Sequence, residues 1–277
     1  MFSKIAIVGT GLLGVSIGLT VRRKWSKCRI VGIGRRQETL DSAKQLGAVD
    51  ETSLAIADGI GHCDLVILCT PVGCIAEQVF EVAQAANSEP IITDVGSTKQ
   101  AICNAVEQKS PLPNGCRFLG GHPIAGGEKT GPEAASASLF ENRAVVLTPT
   151  ASCNPTTVET LRTFWETLGA RVLCMSPGEH DRILSLTSHL PHVLSAVLAT
   201  VCDRTTYGEY CGTGYESMTR LAAGGAELWR DILMTNREAI CRAMDAFERS
   251  CHELHNALAR NDTEAVMRFL ENANRNT

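Results

Sequence analysis

The sequence predicts an α/β fold in which a doubly wound, mostly parallel β-sheet is followed by a second domain made only of helices. Three observations support this prediction: short apolar β-rich runs alternate with helical segments over residues 1–176, a glycine-rich turn follows the first run, and no β-rich run occurs in residues 179–277. Continuous apolar strands that alternate with helices are typical of a parallel sheet covered on both faces. We therefore place a sheet domain at residues 1–176 and a helical domain at residues 177–277.

Strands and helices alternate regularly in the predicted sheet domain. Each strand is a short run in which valine, isoleucine and other apolar residues predominate, and each helix is a longer stretch between two runs. The predicted strands are residues 4–8, 28–33, 64–69, 90–95, 116–120, 143–148 and 170–174. The predicted helices are residues 12–25, 38–46, 74–86, 98–107 and 155–168.

Two long helical segments dominate the predicted helical domain. Residues 179–203 are helical in character, with a kink expected at Pro191, which cannot donate a backbone hydrogen bond. Residues 226–260 are predicted as one helix, because apolar residues recur at spacings of three and four. Such a helix would be about 50 Å long, which a domain of this size can hardly cover. We therefore expect a second copy of the chain to pack on it, forming a homodimer.

Composition excludes several classes of function. The net charge of −4 argues against a nucleic-acid partner, and no uninterrupted apolar run reaches the roughly 20 residues that span a bilayer. The twelve cysteines form no CxxC pair and no cluster with zinc-ligand spacing, so they are predicted to be reduced thiols. We therefore expect a cytoplasmic enzyme with no metal site and no membrane partner.

A dinucleotide-binding fingerprint, Gly9-Thr10-Gly11-Leu12-Leu13-Gly14, follows the first strand directly and opens the first helix. The first glycine permits a tight turn, the second lets the backbone approach a pyrophosphate, and the third lets the helix pack close to the strand. The helix N-terminus then offers unpaired N–H groups to the phosphates. The sequence therefore predicts a Rossmann domain that binds a nicotinamide cofactor through these residues.

The end of the second strand distinguishes the two nicotinamide cofactors. Sites for NAD usually carry an acidic residue there, which binds the ribose 2′-hydroxyl. This chain has Gly34-Arg35-Arg36 instead. Two guanidinium groups can pair with a 2′-phosphate and stack on adenine, so NADP is favoured over NAD.

Polar residues follow three further strands at the carboxyl edge of the predicted sheet, where ligands of such folds bind. Thr70-Pro71 follows the third strand, and Ser97 lies in the loop after the fourth. His122 follows the fifth strand in a predicted glycine-rich loop, and histidine is well suited to accept a proton near neutral pH. We therefore expect Ser97 and His122 at the chemical site, with Thr70 and Pro71 beside the cofactor.

The helical domain contributes its own polar candidates. Ser188 and His192 are four residues apart and share one face of a helix next to Pro191. A kinked polar face in an apolar helix is costly unless it lines a site, although a buried structural histidine is the alternative. Arg220 precedes the long helix, and a guanidinium can bind a carboxylate with two parallel hydrogen bonds.

These motifs, taken in order along the chain, resemble the prephenate and arogenate dehydrogenases of tyrosine biosynthesis. The most specific matches are Gly121-His122-Pro123-Ile124-Ala125-Gly126 and Ser188-His189-Leu190-Pro191-His192. The others are the fingerprint, Thr70-Pro71, Asp94-Val95-Gly96-Ser97-Thr98-Lys99, and the segment from Thr219-Arg220 to Trp229-Arg230-Asp231-Ile232. The resemblance therefore covers nearly the whole chain.

The resemblance implies a Rossmann domain, an all-helical dimerisation domain and an active site between them. It implies that hydride passes from the hydroxyl-bearing ring carbon of prephenate to the nicotinamide, while His122 accepts the hydroxyl proton and Ser97 orients that pair. Loss of carbon dioxide, driven by aromatisation, then gives 4-hydroxyphenylpyruvate. Arg220 is implied to bind a substrate carboxylate. Further substrate contacts are implied for Ser188, His192 and Glu128.

Two alternatives to this function remain. The turn at Gly34-Arg35-Arg36 resembles the NADP-using and often arogenate-preferring branch of the family, whereas Glu128 resembles the prephenate users, so arogenate oxidised directly to tyrosine is the alternative reaction. A non-catalytic nucleotide-sensing or partner-binding Rossmann protein is the alternative of another class. Dehydrogenases that use a lysine base in the helical half are disfavoured, because no lysine follows Lys129.

Overall fold

The computed structural model describes residues 2–126, 130–202 and 204–275 and divides the chain into two compact units. The first unit comprises Met1–Asp181 and Gly224–Asn236, and the second comprises Arg182–Ala223 and Arg237–Thr277. The predicted division at residues 176/177 places only one boundary, whereas the chain here returns to the first unit for residues 224–236. The cause is a helix, described below, that packs on the sheet domain.

The first unit is built on an eight-stranded sheet with the order β3-β2-β1-β4-β5-β6-β7-β8. Every pair of neighbours is parallel except β6 and β7, which run antiparallel. The strands are β1 Lys4–Val8, β2 Arg29–Ile33, β3 Glu51–Ser53, β4 Leu65–Leu68, β5 Ile91–Asp94, β6 Arg117–Pro123, β7 Ala144–Thr148 and β8 Arg171–Cys174. The predicted mostly parallel doubly wound sheet is confirmed, and the sequence missed only the short edge strand β3.

Helices cover both faces of this sheet. They are α1 Leu12–Lys24, α2 Gln37–Gln45, α3 Ile56–Ile60, α4 Val72–Ala85, α5 Gln100–Glu107, α6 Pro155–Thr167 and the start of α7 Pro177–Leu184. Alternate residues of β1 enter two separate apolar clusters, with Ile5 and Ile7 in one and Ala6 and Val8 in the other. Because successive side chains of a strand point to opposite faces, the sheet has an apolar core on each side.

Helix α11, Ala226–Thr235, belongs to the first unit although it follows much of the second in sequence. Ile232 is 3% exposed and joins the apolar cluster that includes residues of α4, and Trp229 packs against the same cluster. The prediction of one helix over residues 226–260 is wrong, because the helix ends at Asn236, whose φ and ψ of −116° and 25° are not helical. Helix α12, Arg237–Ala259, then begins in the second unit.

The second unit is helical throughout its described residues. It contains the end of α7, a π-helical turn at Ser185–His189, α8 Leu190–Val201, α9 Arg204–Tyr207, α10 Thr213–Thr219, a 3₁₀ turn at Arg220–Ala223, α12 and α13 Thr263–Asn274. The kink predicted at Pro191 is replaced by the π turn, in which the N–H of Leu190 donates to the carbonyl of Ser185. A π turn shifts the hydrogen-bond register, which accommodates a proline without ending the helix.

Among the described residues one helical stretch, Pro177–Val201, has the length and the mean hydropathy, 1.3, of a segment able to cross a membrane. The sequence prediction that no segment could span a bilayer was based on uninterrupted apolar runs. It is corrected here, because this stretch meets the criteria although polar residues interrupt it. A single stretch of this kind is weak evidence for a membrane segment, because core helices meet the same criteria. It also contains the buried polar side chains His180, Asp181 and His192.

Candidate active site

The glycine fingerprint forms a tight turn against the neighbouring strand end. Gly9 has a φ of +98°, and a Cβ atom there would lie 2.5 Å from the carbonyl oxygen of Cys69. A Cβ atom at Gly14 would lie 2.0 Å from the carbonyl oxygen of Gly9, so that position also excludes side chains. Gly11 precedes α1 and has open space around it. The turn thus has the backbone shape that a pyrophosphate at a helix N-terminus requires.

Three other predicted cofactor residues meet at this turn. Thr70 Cγ2 would lie 3.2 Å from a Cβ atom at Gly9, and Thr10 Oγ1 would lie 3.6 Å from one at Gly34. Among the described residues, the buried Oγ1 of Thr10 has no hydrogen-bond partner. A buried hydroxyl without a protein partner is costly unless a ligand or water satisfies it. This orphaned oxygen and the tight glycine turn fit a dinucleotide.

The other residues of the cofactor prediction lie at the rim of the turn. Gly34 follows β2 with no acidic side chain, and Arg35 and Arg36 are exposed. Arg36 precedes α2, and its carbonyl accepts a hydrogen bond from Thr39. Pro71 is exposed at the start of α4, and Thr70 Oγ1 donates to Gln78 Oε1 at 2.5 Å.

His122 lies inside strand β6, where it pairs with Val146 of β7. The predicted glycine-rich loop is therefore wrong for this residue. The reason is that β6 continues past its parallel pairing with β5, which ends at Leu119, and pairs antiparallel with β7 from Gly120 onward. His122 is only 9% exposed, and a strand fixes its backbone more firmly than a loop does.

A second histidine contacts His122. His122 Nδ1 and His180 Nε2 are 2.8 Å apart, and His180 Nδ1 lies 2.7 Å from Asp181 Oδ1. The same Asp181 carboxylate accepts the backbone N–H groups of Lys99 and Gln100, at 2.8 and 3.0 Å. Asp181 therefore caps the N-terminus of α5 and joins His180 to it.

The carboxylate of Asp94 connects the loop that carries Ser97 with strand β6, which carries His122. Its Oδ2 accepts the N–H of Gly96 at 2.9 Å, and its Oδ1 accepts the N–H of Gly121 at 3.1 Å. Lys99 forms an ion pair with Asp94, and neither side chain is accessible to solvent. Each predicted chemical residue thus directly follows a glycine held by one buried carboxylate, and Ser97 itself is half-buried.

In the second unit, the structure places His192 on α8 and Arg220 at the start of the adjoining 3₁₀ turn. The N–H of Ala222 donates to Ser195 Oγ at 2.9 Å, which holds this turn against α8. His192 is 6% exposed, and burial lowers its pKa below the usual 6.5. Ser188 is half-buried in the π turn, and Arg220 is exposed. Glu128 lies outside the described residues.

Two family models match the chain. One, described as the nucleotide-binding domain of prephenate dehydrogenase, matches residues 17–174, and the other, described as the prephenate dehydrogenase dimerization domain, matches residues 176–272. The chain belongs to the prephenate dehydrogenase family. It is therefore an NAD(P)-dependent oxidoreductase of that family, which confirms the predicted family and enzyme class and sets aside a non-catalytic Rossmann protein.

Relatives and solved structures agree with this membership. The chain is 33% identical to the prephenate dehydrogenase of Bacillus subtilis, over 99% of this chain and 75% of that one, and 32% identical to the cyclohexadienyl dehydrogenase of Zymomonas mobilis, over 96% and 92%. The prephenate dehydrogenase of Aquifex aeolicus with hydroxyphenyl propionate and NAD+ matches at a TM-score of 0.92 and 31% identity, over 100% and 97%. Synechocystis arogenate dehydrogenase matches at 0.84 and 28%, over 99% and 98%.

Sequence reasoning missed three buried groups around His122. His180 and Asp181 follow a predicted boundary, and nothing in their spacing indicates a contact with residue 122. The sequence places Lys99 in the loop that carries Ser97 but does not indicate its buried ion pair with Asp94. A signal was present in the adjacent His-Asp pair at the start of an otherwise apolar helical segment, because two such side chains are seldom buried without partners.

Proposed function

We propose that this chain catalyses the oxidative decarboxylation of prephenate to 4-hydroxyphenylpyruvate, with NADP or NAD as hydride acceptor. The observation that carries the proposal is the buried His122, held by His180 in the domain that also carries the glycine turn. The family membership limits the reaction to this class. Aromatic amino acid biosynthesis, leading to tyrosine, is the pathway that such a reaction serves.

The chain's own residues supply the proton chemistry and the orientation. His122 accepts the proton of the ring hydroxyl at Nε2, because its Nδ1 is engaged with His180. A nicotinamide cofactor held at the glycine turn of residues 9–14 would supply the acceptor for the hydride of the hydroxyl-bearing carbon. Ser97 orients the substrate hydroxyl and His122. The Asp94 carboxylate fixes the loop of Ser97 through Gly96 and strand β6 through Gly121.

Substrate recognition is proposed for residues of both units. Arg220 binds a substrate carboxylate, since a guanidinium pairs with it through two parallel hydrogen bonds. His192 is neutral near pH 7 because burial lowers its pKa, so it can line an apolar ring without adding a charge. Ser188 and Glu128 complete the proposed contacts.

For the cofactor we propose a preference for NADP. No acidic side chain stands at Gly34 to bind a 2′-hydroxyl, and the exposed guanidinium groups of Arg35 and Arg36 suit a 2′-phosphate. The residues Gly9, Thr10, Gly11, Leu12, Leu13 and Gly14 would hold the pyrophosphate. Thr70 and Pro71 would border the nicotinamide side of the site. A ratio of kcat/KM that favours NAD tenfold or more would overturn this preference.

Arogenate is the second candidate substrate, with tyrosine as its product. The observation that favours it is the same Gly34-Arg35-Arg36 turn, which resembles the NADP-using branch of the family. We also propose a homodimer, since the second unit matches a dimerization domain. The twelve cysteines, all in the described part of the chain, are free thiols, which supports a reducing compartment such as the cytoplasm.

A matrix of four assays tests the function: prephenate and arogenate, each with NAD and NADP. We expect turnover with at least one pair, and the ratio of kcat/KM between substrates decides between the two reactions. His122→Asn is expected to lower kcat by about 10²–10⁴-fold, with little change in KM. The control is His62→Asn at an exposed histidine, which should leave kcat unchanged. Absence of turnover in all four assays, or a near-normal kcat for His122→Asn, would contradict the proposal.

A further inference from the structure

A line of hydrogen bonds runs from His122 into the interior of the first unit. It passes from His122 Nδ1 to His180 Nε2 over 2.8 Å, and from His180 Nδ1 to Asp181 Oδ1 over 2.7 Å. His180 is 0% exposed and Asp181 is 1% exposed. The two imidazole rings meet edge to face, with centroids 5.0 Å apart. Two buried titratable groups thus lie behind the proposed base, and neither of them takes the substrate proton in the proposed reaction.

The far end of this line is fixed as a carboxylate. Asp181 accepts the backbone N–H groups of Lys99 and Gln100 at the N-terminus of α5, and both interactions favour the ionised form. The side-chain amide of Asn236 donates to the backbone carbonyl of Asp181 at 2.9 Å, which holds the residue in place. An ionised carboxylate can only accept hydrogen bonds, so the proton between Asp181 and His180 lies on His180 Nδ1.

The position of the proton on His180 Nδ1 determines the protonation of the next nitrogens in the line. A second charge on the fully buried His180 would be costly, and the charge of Asp181 is already offset by two N–H donors and the helix end. His180 is therefore neutral, with its proton on Nδ1 and its lone pair on Nε2. The lone pair accepts a hydrogen bond, so His122 must donate from Nδ1. The remaining nitrogen of His122, Nε2, then carries the lone pair that a general base needs.

We propose that His180 and Asp181 are positioning residues that hold His122 in the Nδ1–H tautomer and stabilise its imidazolium form. This inference rests on the proposed function, because it assigns a purpose to a hydrogen bond of the proposed base. During the reaction the substrate O–H bond breaks and its proton forms the Nε2–H bond of His122. The Nδ1 proton stays in place, and no proton passes to His180 or Asp181.

A buried ion pair lies next to this line, because the backbone N–H of Lys99 donates to Asp181. Asp94 and Lys99, at the end of β5 and before α5, form a buried ion pair with no net charge. On the other side of β6, His122 pairs with Val146 of β7, which cannot titrate. Asp181 is therefore the charge that this line of hydrogen bonds joins to His122, through the ring of His180.

Nuclear magnetic resonance on the full chain labelled with ¹⁵N-histidine tests the tautomers directly. Two-bond ¹H–¹⁵N correlations distinguish the Nδ1–H and Nε2–H forms of neutral histidine, and the variants His122→Asn and His180→Phe assign the signals. Near pH 7.5 we expect the Nδ1–H form for both residues. An Nε2–H form of His122, or a doubly protonated His180, would overturn the inference.

Kinetics of two substitutions at residue 180 test the positioning role. His180→Phe removes the acceptor, so we expect kcat to fall about ten- to a hundredfold, as for partners that orient a functional histidine. KM should change little, and the acidic limb of the kcat profile should move to lower pH because the imidazolium of His122 loses its stabilisation. His180→Gln retains an oxygen that can accept a hydrogen bond from the Nδ1–H of His122, so it should recover most of the rate.

The control is Leu184→Ala on the same helix, which removes buried apolar volume without touching the line. It should lower thermal stability and leave the pH profile unchanged. Equal pH profiles for wild type and His180→Phe would overturn the positioning role. If the wild-type chain turns over none of the four substrate and cofactor pairs, the proposed function fails, while the resonance experiment still decides the tautomer of His122.

Discussion

The buried ion pair between Lys99 and Asp94 is the strongest single-residue constraint near the site. Neither side chain is accessible to solvent, and the carboxylate also accepts the N–H groups of Gly96 and Gly121. Removing one partner from such a pair leaves an uncompensated charge in the interior, which is far more costly than removing both. The pair therefore holds the loop that carries Ser97 and strand β6, which carries His122.

For Lys99→Met we expect the free energy of unfolding to fall by about 3–5 kcal/mol, measured by urea titration at pH 7. The double variant Lys99→Met with Asp94→Asn should be more stable than the single variant, because the buried charge is gone. Lys44→Met, at an exposed lysine of α2, is the control and should cost nothing measurable. A single-variant loss below about 1 kcal/mol would show that Asp94 finds other compensation.

Residues whose roles depend on local chemistry could be predicted from sequence, and those whose roles depend on long-range contacts could not. The φ of +98° at Gly9 and the close approach at Gly14 follow from the fingerprint itself. The contact between His122 and His180 joins residues 58 positions apart. It depends on how β6 and α7 pack, which no spacing in the sequence encodes.

At the scale of elements, α8 shows an inverted pattern of burial. Its buried residues are the polar His192 and Ser195, whereas Val197 and Val201 are 49% and 77% exposed. The π turn precedes this helix, and Ser195 on its polar face accepts the N–H of Ala222 within the second unit. Periodicity alone predicted the helix but placed a kink at Pro191, because a π turn leaves no signature in the apolar pattern.

The burial of His192 predicts a pH dependence of stability. Its pKa is lowered below 6.5 by desolvation, so the unfolded chain binds this proton more readily than the folded chain. The contribution is fully present above about pH 6.5 and is lost as pH falls through the lowered pKa. The free energy of unfolding should therefore fall more steeply between pH 7 and 5 in wild type than in His192→Gln.

Denaturant titrations at several pH values measure this difference. His62→Gln, at an exposed histidine, serves as the control and should follow the wild-type curve. Parallel curves for wild type and His192→Gln would contradict the assignment of a neutral buried imidazole.

At the scale of the whole molecule, apolar burial is unevenly divided. The described residues of the second unit contribute only Leu184, Ala239, Ile240 and Ala243 to the buried apolar set, while both large clusters lie in the first unit. Large apolar side chains of the second unit remain exposed, among them Phe247 at 38%, Leu258 at 61% and Met267 at 50%. Exposed apolar residues in this number support the proposed dimer.

We therefore expect Leu258→Asp on α12 to weaken the proposed dimer, because it places a charge in an apolar contact. Light scattering coupled to size exclusion at micromolar concentration should show a dimer for wild type and a larger monomer fraction for the variant. Leu54→Asp, at 58% exposure in the first unit, is the matched control and should remain dimeric. A monomeric wild-type chain would contradict the homodimer.

The fold class and the order of elements were accessible from sequence, but the return of residues 224–236 to the first unit was not. The apolar spacing over residues 226–260 does not predict the break at Asn236, because the same spacing continues on both sides of it. The segment before the break packs on the apolar cluster that includes α4, and the segment after it belongs to the second unit. The break therefore follows from long-range packing. Because residues 226–260 form two helices, a single helix of about 50 Å no longer supports the dimer. The small number of buried apolar residues in the described part of the second unit supports it instead.

The return of α11 to the first unit limits how the chain can be cut into fragments that each contain one unit. Because residues 182–223 lie between two parts of the first unit, no single cut separates the units into contiguous polypeptides. A fragment that ends at Asp181 would lack Ile232 and Trp229 and would expose the apolar surface of α4. The first part of the second unit is thus an insertion into the first unit, and its second part, Arg237–Thr277, follows α11 in the chain.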